Sequence, residues 1–280
     1  MSLRRKAKRN GDYPEDAVGI IRKNSEIRTE SKIYQLVTYE TNKTINLYLG
    51  GKQRWCMHVE LIKDNGIIKP MGYLIKARYD SVCSDDFQHR DTNPFIKVFI
   101  QYLHHNYPTL KTLSFNDIST KACDHGVDVN LAVMSYLYSG KTWYEKSFDA
   151  YLSPQSEGEM ERIKERYDSS KKIPWNEMSS TIHAMPPLTE EVLEQKYNDS
   201  TTWLEFFKGI HKEIGISQFC KWITPWIYPF ILNYFNNLMS LTYLLPIKDR
   251  GIPFEEIKSI QGGKRLYLTR VARRRRTMRI

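Results

Sequence analysis

The chain has 280 residues, a mass of 33.1 kDa and a formal net charge of +10. Hydrophobic residues make up 41% of it and charged residues 26%, which is ordinary for a globular protein and excludes a wholly disordered chain. This length suits one large domain or two modest ones.

A basic segment lies at each end of the chain. Residues 1–9 carry five cationic side chains and residues 264–280 carry eight, and neither segment contains an acid. Removing these charges from the total leaves −3 for residues 10–263. Such arms favour polyanions, namely nucleic acid, an anionic membrane or an acidic protein, and a solubilising or targeting tail is the alternative. The candidate polyanion contacts are Arg4, Arg5, Arg273, Arg274, Arg275 and Arg276.

Residues 1–30 are predicted to form a polar, extended arm, and an antiparallel meander follows from about 31 to 82. Trp55–Ile62 and Gly72–Tyr79 have the residue pattern of strands. Between them, Asn65-Gly66 supplies the positive φ angles of a tight hairpin turn. No aromatic-studded sheet face is evident, so any nucleic-acid binding is expected to be nonspecific.

A helix is predicted over Pro94–His105, because apolar side chains recur there at helical spacing. A strand, a second helix and a short amphipathic helix are predicted at 110–118, 129–138 and 141–148. This alternation of strands and helices predicts an α+β domain over residues 31–152.

Residues 153–262 are predicted to be all-helical, and a basic tail follows at 263–280. Helical patterns occur at 157–167, at 189–197, from the capping box of Thr202 and Glu205, and near 254–260.

One stretch of this helical region, residues 222–247, carries no charge. Its apolar spacing predicts a helix at about 226–240 that is buried or docks on a protein. Several prolines and asparagines interrupt the stretch and are costly in lipid, so membrane contact by 222–247 is the less favoured alternative.

The four cysteines, Cys56, Cys83, Cys123 and Cys220, are far apart and form no C-x-x-C pair. They predict neither a zinc ribbon nor a disulfide framework, and reduced thiols are expected. Cys123 and His125 fall short of the roughly four ligands of a closed zinc site, so no metal is expected. No apolar segment follows the basic start of the chain, so secretion is not expected.

Between about residues 55 and 150, the order of elements resembles GNAT-type acetyltransferases. In that family antiparallel strands lead to a strand, a phosphate-binding turn and a long helix, and a strand, a helix and an aromatic-rich segment follow. The corresponding parts here are Trp55–Ile62, Gly72–Tyr79, the turn Gln88–Asn93, the helix from Pro94, Leu110–Asp117, Val129–Tyr138 and Trp143–Lys146. The resemblance covers about a third of the chain. It implies an α+β fold with a GNAT-like mixed sheet flanked by helices, followed here by the all-helical region.

The family's turn has the pattern Q/R-x-x-G-x-G/A, and its glycines let backbone N–H groups approach the diphosphate of acetyl-CoA. Here an acid and an amide stand in their place, so the residues that the resemblance assigns to the cofactor are Gln88, Arg90, Asp91 and Asn93. The charge of Asp91 repels phosphate, and Pro94 removes a donor. Acetyl-CoA binding is therefore expected to be lost, and no cofactor is expected.

The resemblance also assigns two candidate catalytic residues. Tyr144 matches the tyrosine that protonates the leaving thiolate, and Asp117 is the carboxylate that would act as base. Packing of Tyr144 among Trp143 and Phe148 is the alternative interpretation.

The segment Gly140–Lys146 further resembles uncharacterised proteins of nucleocytoplasmic large DNA viruses. This implies a late or virion protein, located in the host cytoplasm or in the virion. The favoured hypothesis is a non-catalytic, GNAT-like structural or interaction protein whose partners are other proteins of an assembly. The alternatives are an acetyl-CoA-dependent N-acyltransferase with a divergent cofactor turn, and an accessory protein that binds nucleic acid nonspecifically through its tails.

Overall fold

A computed structural model describes residue 14 and residues 20–51, 54–77, 92–117, 120–122, 128–169, 174–179, 188–215, 236–259 and 265–270. The chain divides into two compact units. The first comprises Met1–Phe115 together with Pro246–Ile280, and the second comprises Asn116–Leu245. The predicted domain boundaries stay predictions.

The described elements alternate between strands and helices along most of the chain. The strands are β1 (Ile21–Arg28), β2 (Ile33–Glu40), β3 (Thr44–Gly50), β4 (Trp55–Asp64), β5 (Ile67–Ile68), β6 (Met71–Ala77), β7 (Thr112–Asn116), β8 (Thr120–Ala122), β9 (Asp128–Asn130), β10 (Tyr151–Leu152), β11 (Thr242–Pro246), β12 (Glu255–Ser259) and β13 (Arg265–Arg270). The helices are α1 (Thr92–Asn106), α2 (Leu131–Ser139), α3 (Trp143–Phe148), α4 (Glu157–Ser169), α5 (Trp175–Ser179), α6 (Glu190–Asp199) and α7 (203–215), with 3-10 turns at Pro154–Ser156 and Asn236–Ser240.

The first unit is built on a mixed sheet with the strand order β7-β6-β4-β3-β2-β1-β12-β13 and with β5 paired to β4. Strands β6 and β7 are parallel, and α1 lies between them in sequence, so the three form a crossover unit. The other neighbours are antiparallel. The predicted meander is therefore confirmed, and Asn65 and Gly66 have the positive φ angles that its hairpin turn needs.

One face of this sheet forms the core of the first unit. Leu47, Leu49, Val59 and Leu61 are buried there and come from the central strands β3 and β4. Helix α1 covers the same face near β2, where the rings of Phe95 and Tyr34 lie 5.5 Å apart. The predicted helix over Pro94–His105 is confirmed, and it begins two residues earlier, at Thr92.

Helix α1 also meets the sheet at β12. The hydroxyl of Tyr102 makes a hydrogen bond with the buried carboxylate of Glu256, and burial raises the pKa of Tyr102 well above its ordinary value. Glu256 stands opposite Ile27 in the β1–β12 ladder, on the face that α1 covers. A buried acid therefore finds a hydroxyl partner where the outer strands meet the helix.

The second unit contains most of the helices. Helix α2 begins at the cap Asn130, whose Oδ1 accepts a hydrogen bond of 2.9 Å from the Val133 amide. It ends at Gly140, whose φ of 67° is left-handed. The predicted capping box that opens α7 is also present, since the Glu205 amide donates to Thr202 Oγ1 at 3.2 Å and Glu205 Oε2 accepts from the Thr202 amide at 3.3 Å. Helices α5, α6 and α7 join through contacting rings of Trp175, Tyr197, Trp203, Phe206 and Phe207.

Three parts of the sequence prediction need correction, and all three concern strands. Residues 21–28 form β1 and are not an extended arm, because the backbone of β1 pairs with β2 and with β12. The region 153–262 is not all-helical, since β11 and β12 lie within it. In β11, buried Tyr243 and Leu245 alternate with half-buried neighbours, a period-two pattern that the helical interpretation of 222–247 overlooked.

The predicted helix at 226–240 lies largely outside the described residues, and its last five residues form a 3-10 turn. Within the described part of the chain, the structure has no helix with the length and apolar character needed to cross a membrane. The structure confirms an α+β fold with a mixed sheet flanked by helices.

Candidate functional site

The candidate acid Tyr144 is buried inside a cluster of rings. It lies on α3, whose start is fixed by a capping box: the Thr142 amide donates to Glu145 Oε2 at 2.6 Å, and the Glu145 amide donates to Thr142 Oγ1 at 3.4 Å. The ring of Tyr144 is 4.9 Å from Trp143 and 5.8 Å from Phe148, and the residue is 4% exposed. This is the packing arrangement that was the alternative interpretation of Tyr144.

The candidate base Asp117 is buried as well, at 2% exposure. The structure associates it with a tyrosine other than Tyr144, because the charges of Glu145 and Asp117 both act on the phenol of Tyr243. Burial, followed by these two charges, raises the pKa of Tyr243 above its ordinary value. A phenol in this setting holds its proton firmly, which suits a structural hydroxyl better than an acid catalyst.

Three of the four candidate cofactor residues, Gln88, Arg90 and Asp91, lie outside the described residues. The fourth, Asn93, is in the first turn of α1, and its buried Oδ1 makes no hydrogen bond within the described part of the chain. This Oδ1 is an acceptor and cannot donate to a phosphate oxygen, whereas the Nδ2 group of the same amide can. Pro94 has no N–H group to offer. The expected loss of acetyl-CoA binding stays a prediction.

The arm residues Arg4, Arg5 and Arg273–Arg276 lie outside the described residues, and so do Cys123 and His125. Among the residues that are described, no three His, Cys, Asp or Glu side chains are grouped so as to hold a metal ion.

Cys56 corrects the expectation of reduced thiols, because it is disulfide-bonded. The other three cysteines lie outside the described residues.

The second face of the sheet in the first unit carries a group of rings that the sequence analysis did not find. Residues directly opposite each other on neighbouring strands share a face, so the register of β6, β4, β3, β2 and β1 defines two rows that cross five strands. The first row is Tyr73, Glu60, Asn46, Tyr39 and Arg22, and the second is Lys76, His58, Tyr48, Val37 and Asn24. We call these two rows, together with Trp55, the ring face.

The rings at the centre of the ring face contact one another. Tyr48 and His58 are stacked with centroids 4.2 Å apart, and Trp55 meets both edge-on at 5.6 and 6.0 Å. Tyr39 meets Tyr48 edge-on at 5.6 Å, and the guanidinium of Arg22 lies 5.7 Å from the centre of the Tyr39 ring. These contacts hold four rings in fixed positions on one surface.

Polar contacts fix the imidazole of His58. Its Nε2 lies 2.8 Å from Oδ1 of Asn46, so the neutral ring donates its proton there. Burial lowers the pKa of His58 to about 4 and raises the pKa of Tyr48. At neutral pH the centre of the ring face is therefore uncharged.

The sequence analysis did not identify this group of rings, two of which, Tyr39 and Trp55, are buried. Tyr39, Tyr48, Trp55 and Tyr73 are spread over 35 positions of sequence and come together only through strand pairing. The local signal in the sequence is the pattern of β3, in which Asn46 and Tyr48 alternate with three buried leucine and isoleucine side chains. Comparison of the chain with protein-family models, with curated proteins and with solved structures finds no match.

Proposed function

We propose that the chain is a non-catalytic structural or interaction protein, built on a GNAT-like α+β domain and acting as a component of a large DNA virus. The observation that carries the non-catalytic part is the burial of Tyr144 between Trp143 and Phe148. A general acid must come within hydrogen-bond reach of the atom that it protonates, and this phenol is enclosed by rings of its own helix.

The crossover unit of the first unit supports the GNAT-like part. Parallel strands β6 and β7 flank α1, which is the order that the family resemblance predicts around its phosphate-binding turn. The start of α1 supports the loss of acetyl-CoA, because Pro94 removes one of the backbone N–H groups that could bind a diphosphate there. The partners of such a protein are other proteins of an assembly, and the viral setting rests on the resemblance of residues 140–146.

Isothermal titration of the full chain with acetyl-CoA tests this proposal. We expect no heat of binding at micromolar cofactor, and no release of thiol from acetyl-CoA with a lysine-rich peptide between pH 6 and 9. Micromolar binding that is lost in Arg90→Ala but kept in Arg166→Ala, an exposed arginine on α4, would overturn it.

The alternative function, an N-acyltransferase with a divergent turn, makes the opposite prediction for Tyr144. If the phenol protonates the thiolate, Tyr144→Phe abolishes turnover and leaves folding intact. If the residue is only packed, the variant and the parent chain show the same absence of turnover.

A further inference from the structure

We propose that an apolar strip on β5 and β6 is the docking surface for an amphipathic helix of a partner protein. The strip consists of four exposed apolar side chains, namely Ile67, Met71, Tyr73 and Ile75. This inference rests on the interaction role proposed above and deepens it, because it names the surface and the kind of partner.

The strip concentrates exposed apolar surface in a short stretch of chain. Within the part of the chain that the structure describes, four of the ten exposed large hydrophobic side chains lie between residues 67 and 75. Their exposed fractions are 66% for Ile67, 40% for Met71, 38% for Tyr73 and 53% for Ile75. Single exposed apolar side chains are ordinary on a protein surface, whereas a contiguous group of them marks a contact site.

The alternation of β6 places three of these side chains on one face of the sheet. Exposed Met71, Tyr73 and Ile75 alternate along the strand with buried Gly72 and Leu74. Successive side chains of a strand point to opposite faces, so the exposed three lie opposite the core of the first unit.

Ile67 extends the line on the same face. It stands opposite Asp64 of β4, and Tyr73 stands opposite Glu60, four positions away on that strand. Residues four apart on a strand point to the same side, so Ile67 shares a face with Tyr73. From residue 67 to residue 75 the strip is at most about 26 Å long.

The place of the strip in the sheet favours a helix as its cover. Strands β6 and β7 are parallel, and sheets with parallel strands are normally covered by helices on both faces. The crossover helix α1 lies on the core face, whereas the strip on the other face is exposed. A helix from a partner would supply the second cover.

The size of the strip fits one helix better than a second copy of the chain. With about 150–200 Å² for each large side chain, the exposed fractions amount to about 350 Å² of apolar surface. A stable interface between two globular proteins buries about 800 Å² on each partner, more than half of it apolar. The strip is smaller than that requirement, but an 18-residue helix is about 27 Å long and matches its length.

Polar residues border the strip on the β7 side. Half-buried Thr112 stands opposite Met71, and half-buried Ser114 stands opposite Tyr73. The apolar surface is therefore narrow and has a polar rim, which corresponds to the single apolar stripe of an amphipathic helix.

The charges beside the strip balance one another. Exposed Lys69 forms an ion pair with Asp64 at 3.8 Å, and Lys76 and Glu60 lie on the same face. With no excess of either sign, apolar contact determines what binds here, and the strip does not favour a polyanion.

Methyl NMR of the full chain, labelled at isoleucine and methionine methyl groups, tests the proposal with a designed probe. The probe is an 18-residue helical peptide with leucines on one face and alternating glutamate and lysine elsewhere. A peptide of the same composition, with its leucines distributed around the helix, is the control. We expect the first peptide, and not the control, to shift the methyl signals of Ile67, Met71 and Ile75, with a Kd on the order of 100 μM.

Variants locate the contact. Ile75→Ser should weaken binding of the probe at least fivefold, because it removes exposed apolar surface from the strip. Ile33→Ser is the matched control and should stay within twofold of the parent chain, since Ile33 is 52% exposed on β2 of the same unit. Circular dichroism of each variant verifies that it is folded.

Three results would overturn the proposal. They are equal methyl shifts or none with the two peptides, equal effects of Ile75→Ser and Ile33→Ser, and a dimer of the chain alone that Ile75→Ser dissociates in sedimentation velocity. The last result would assign the strip to a second copy. The titration with acetyl-CoA is independent of these measurements, so failure of the docking proposal is distinguishable from failure of the proposed function.

Discussion

Lowering the pH should destabilise the first unit through His58. The unfolded chain binds a proton at this residue with a pKa near 6.5, whereas the folded chain holds the imidazole neutral until a pKa of about 4. Between these values the unfolded state binds more protons, so stability is complete above about pH 6.5 and is lost progressively as the pH falls towards 4. The difference between the two values corresponds to about 3 kcal/mol, and solvent access to the half-buried ring reduces the expected loss to about 2 kcal/mol.

The groups that share the ring face with His58 are Tyr48, Asn46, Glu60 and Lys76. Urea denaturation at intervals between pH 7 and pH 4 measures the loss, and His58→Gln isolates it, because the difference between parent and variant cancels the titration of all other groups. We expect the stability advantage of the parent chain over His58→Gln to shrink by about 2 kcal/mol over this range. A difference that is independent of pH, or an imidazole NMR signal that titrates near 6.5, would refute the reasoning.

Two further predictions concern the free energy of unfolding, and a third concerns the disulfide of Cys56. Gly140→Ala should lower the free energy of unfolding by about 1–2 kcal/mol, because Gly140 has a φ of 67° although its surroundings are open. Gly209→Ala, inside α7 and in equally open surroundings, should raise the free energy of unfolding by up to about 1 kcal/mol. Urea denaturation measures both changes, and equal effects of the two variants would contradict the backbone argument. Thr142→Ala, at the buried cap of α3, should lower the free energy of unfolding by about 2 kcal/mol, and Thr189→Ala, at the exposed cap of α6, by about 1 kcal/mol. A larger loss in Thr189→Ala would contradict the importance of the buried cap. Peptide mapping without reductant should find Cys56 joined to another cysteine peptide, and alkylation of Cys56 as a free thiol would contradict this.

Elements with local signals were predicted from the sequence. The turn at Asn65-Gly66, the end of α2 at Gly140 and the capping box of Thr202 each depend on a few adjacent residues, whose conformations are set by their own side chains or by the absence of one. The structure confirms all three.

Elements that depend on distant partners were not predicted. Strand β1 has a polar, charged sequence, and what makes it a strand is pairing on both sides, to β2 and to β12 more than two hundred residues away. The sequence predicts a helix where β12 lies, because the apolar residues there are too few to define a period. The hydrogen bond of the buried Glu256 with the hydroxyl of Tyr102 becomes evident only in the folded structure.

The candidate catalytic residues show the same dependence on tertiary contacts. A resemblance in sequence could assign Tyr144 and Asp117 to chemistry, but it could not place Tyr243, which comes from β11 and receives the electrostatic influence of Asp117 and Glu145. The sequence alone therefore could not show that Tyr243 lies within the electrostatic influence of both carboxylates.

The ring face follows from the same register that builds the core. A strand alternates its side chains, so the pairing that directs Leu47 and Leu49 into the core must direct Asn46 and Tyr48 to the opposite face. The open face of an antiparallel sheet is usually polar, but this face is largely covered, since Tyr39 is 5% and Trp55 is 9% exposed. Burial of these rings and their edge-on contacts with Tyr48 stabilise the first unit in addition to the leucine core. The strand register therefore builds apolar packing on both faces of the sheet.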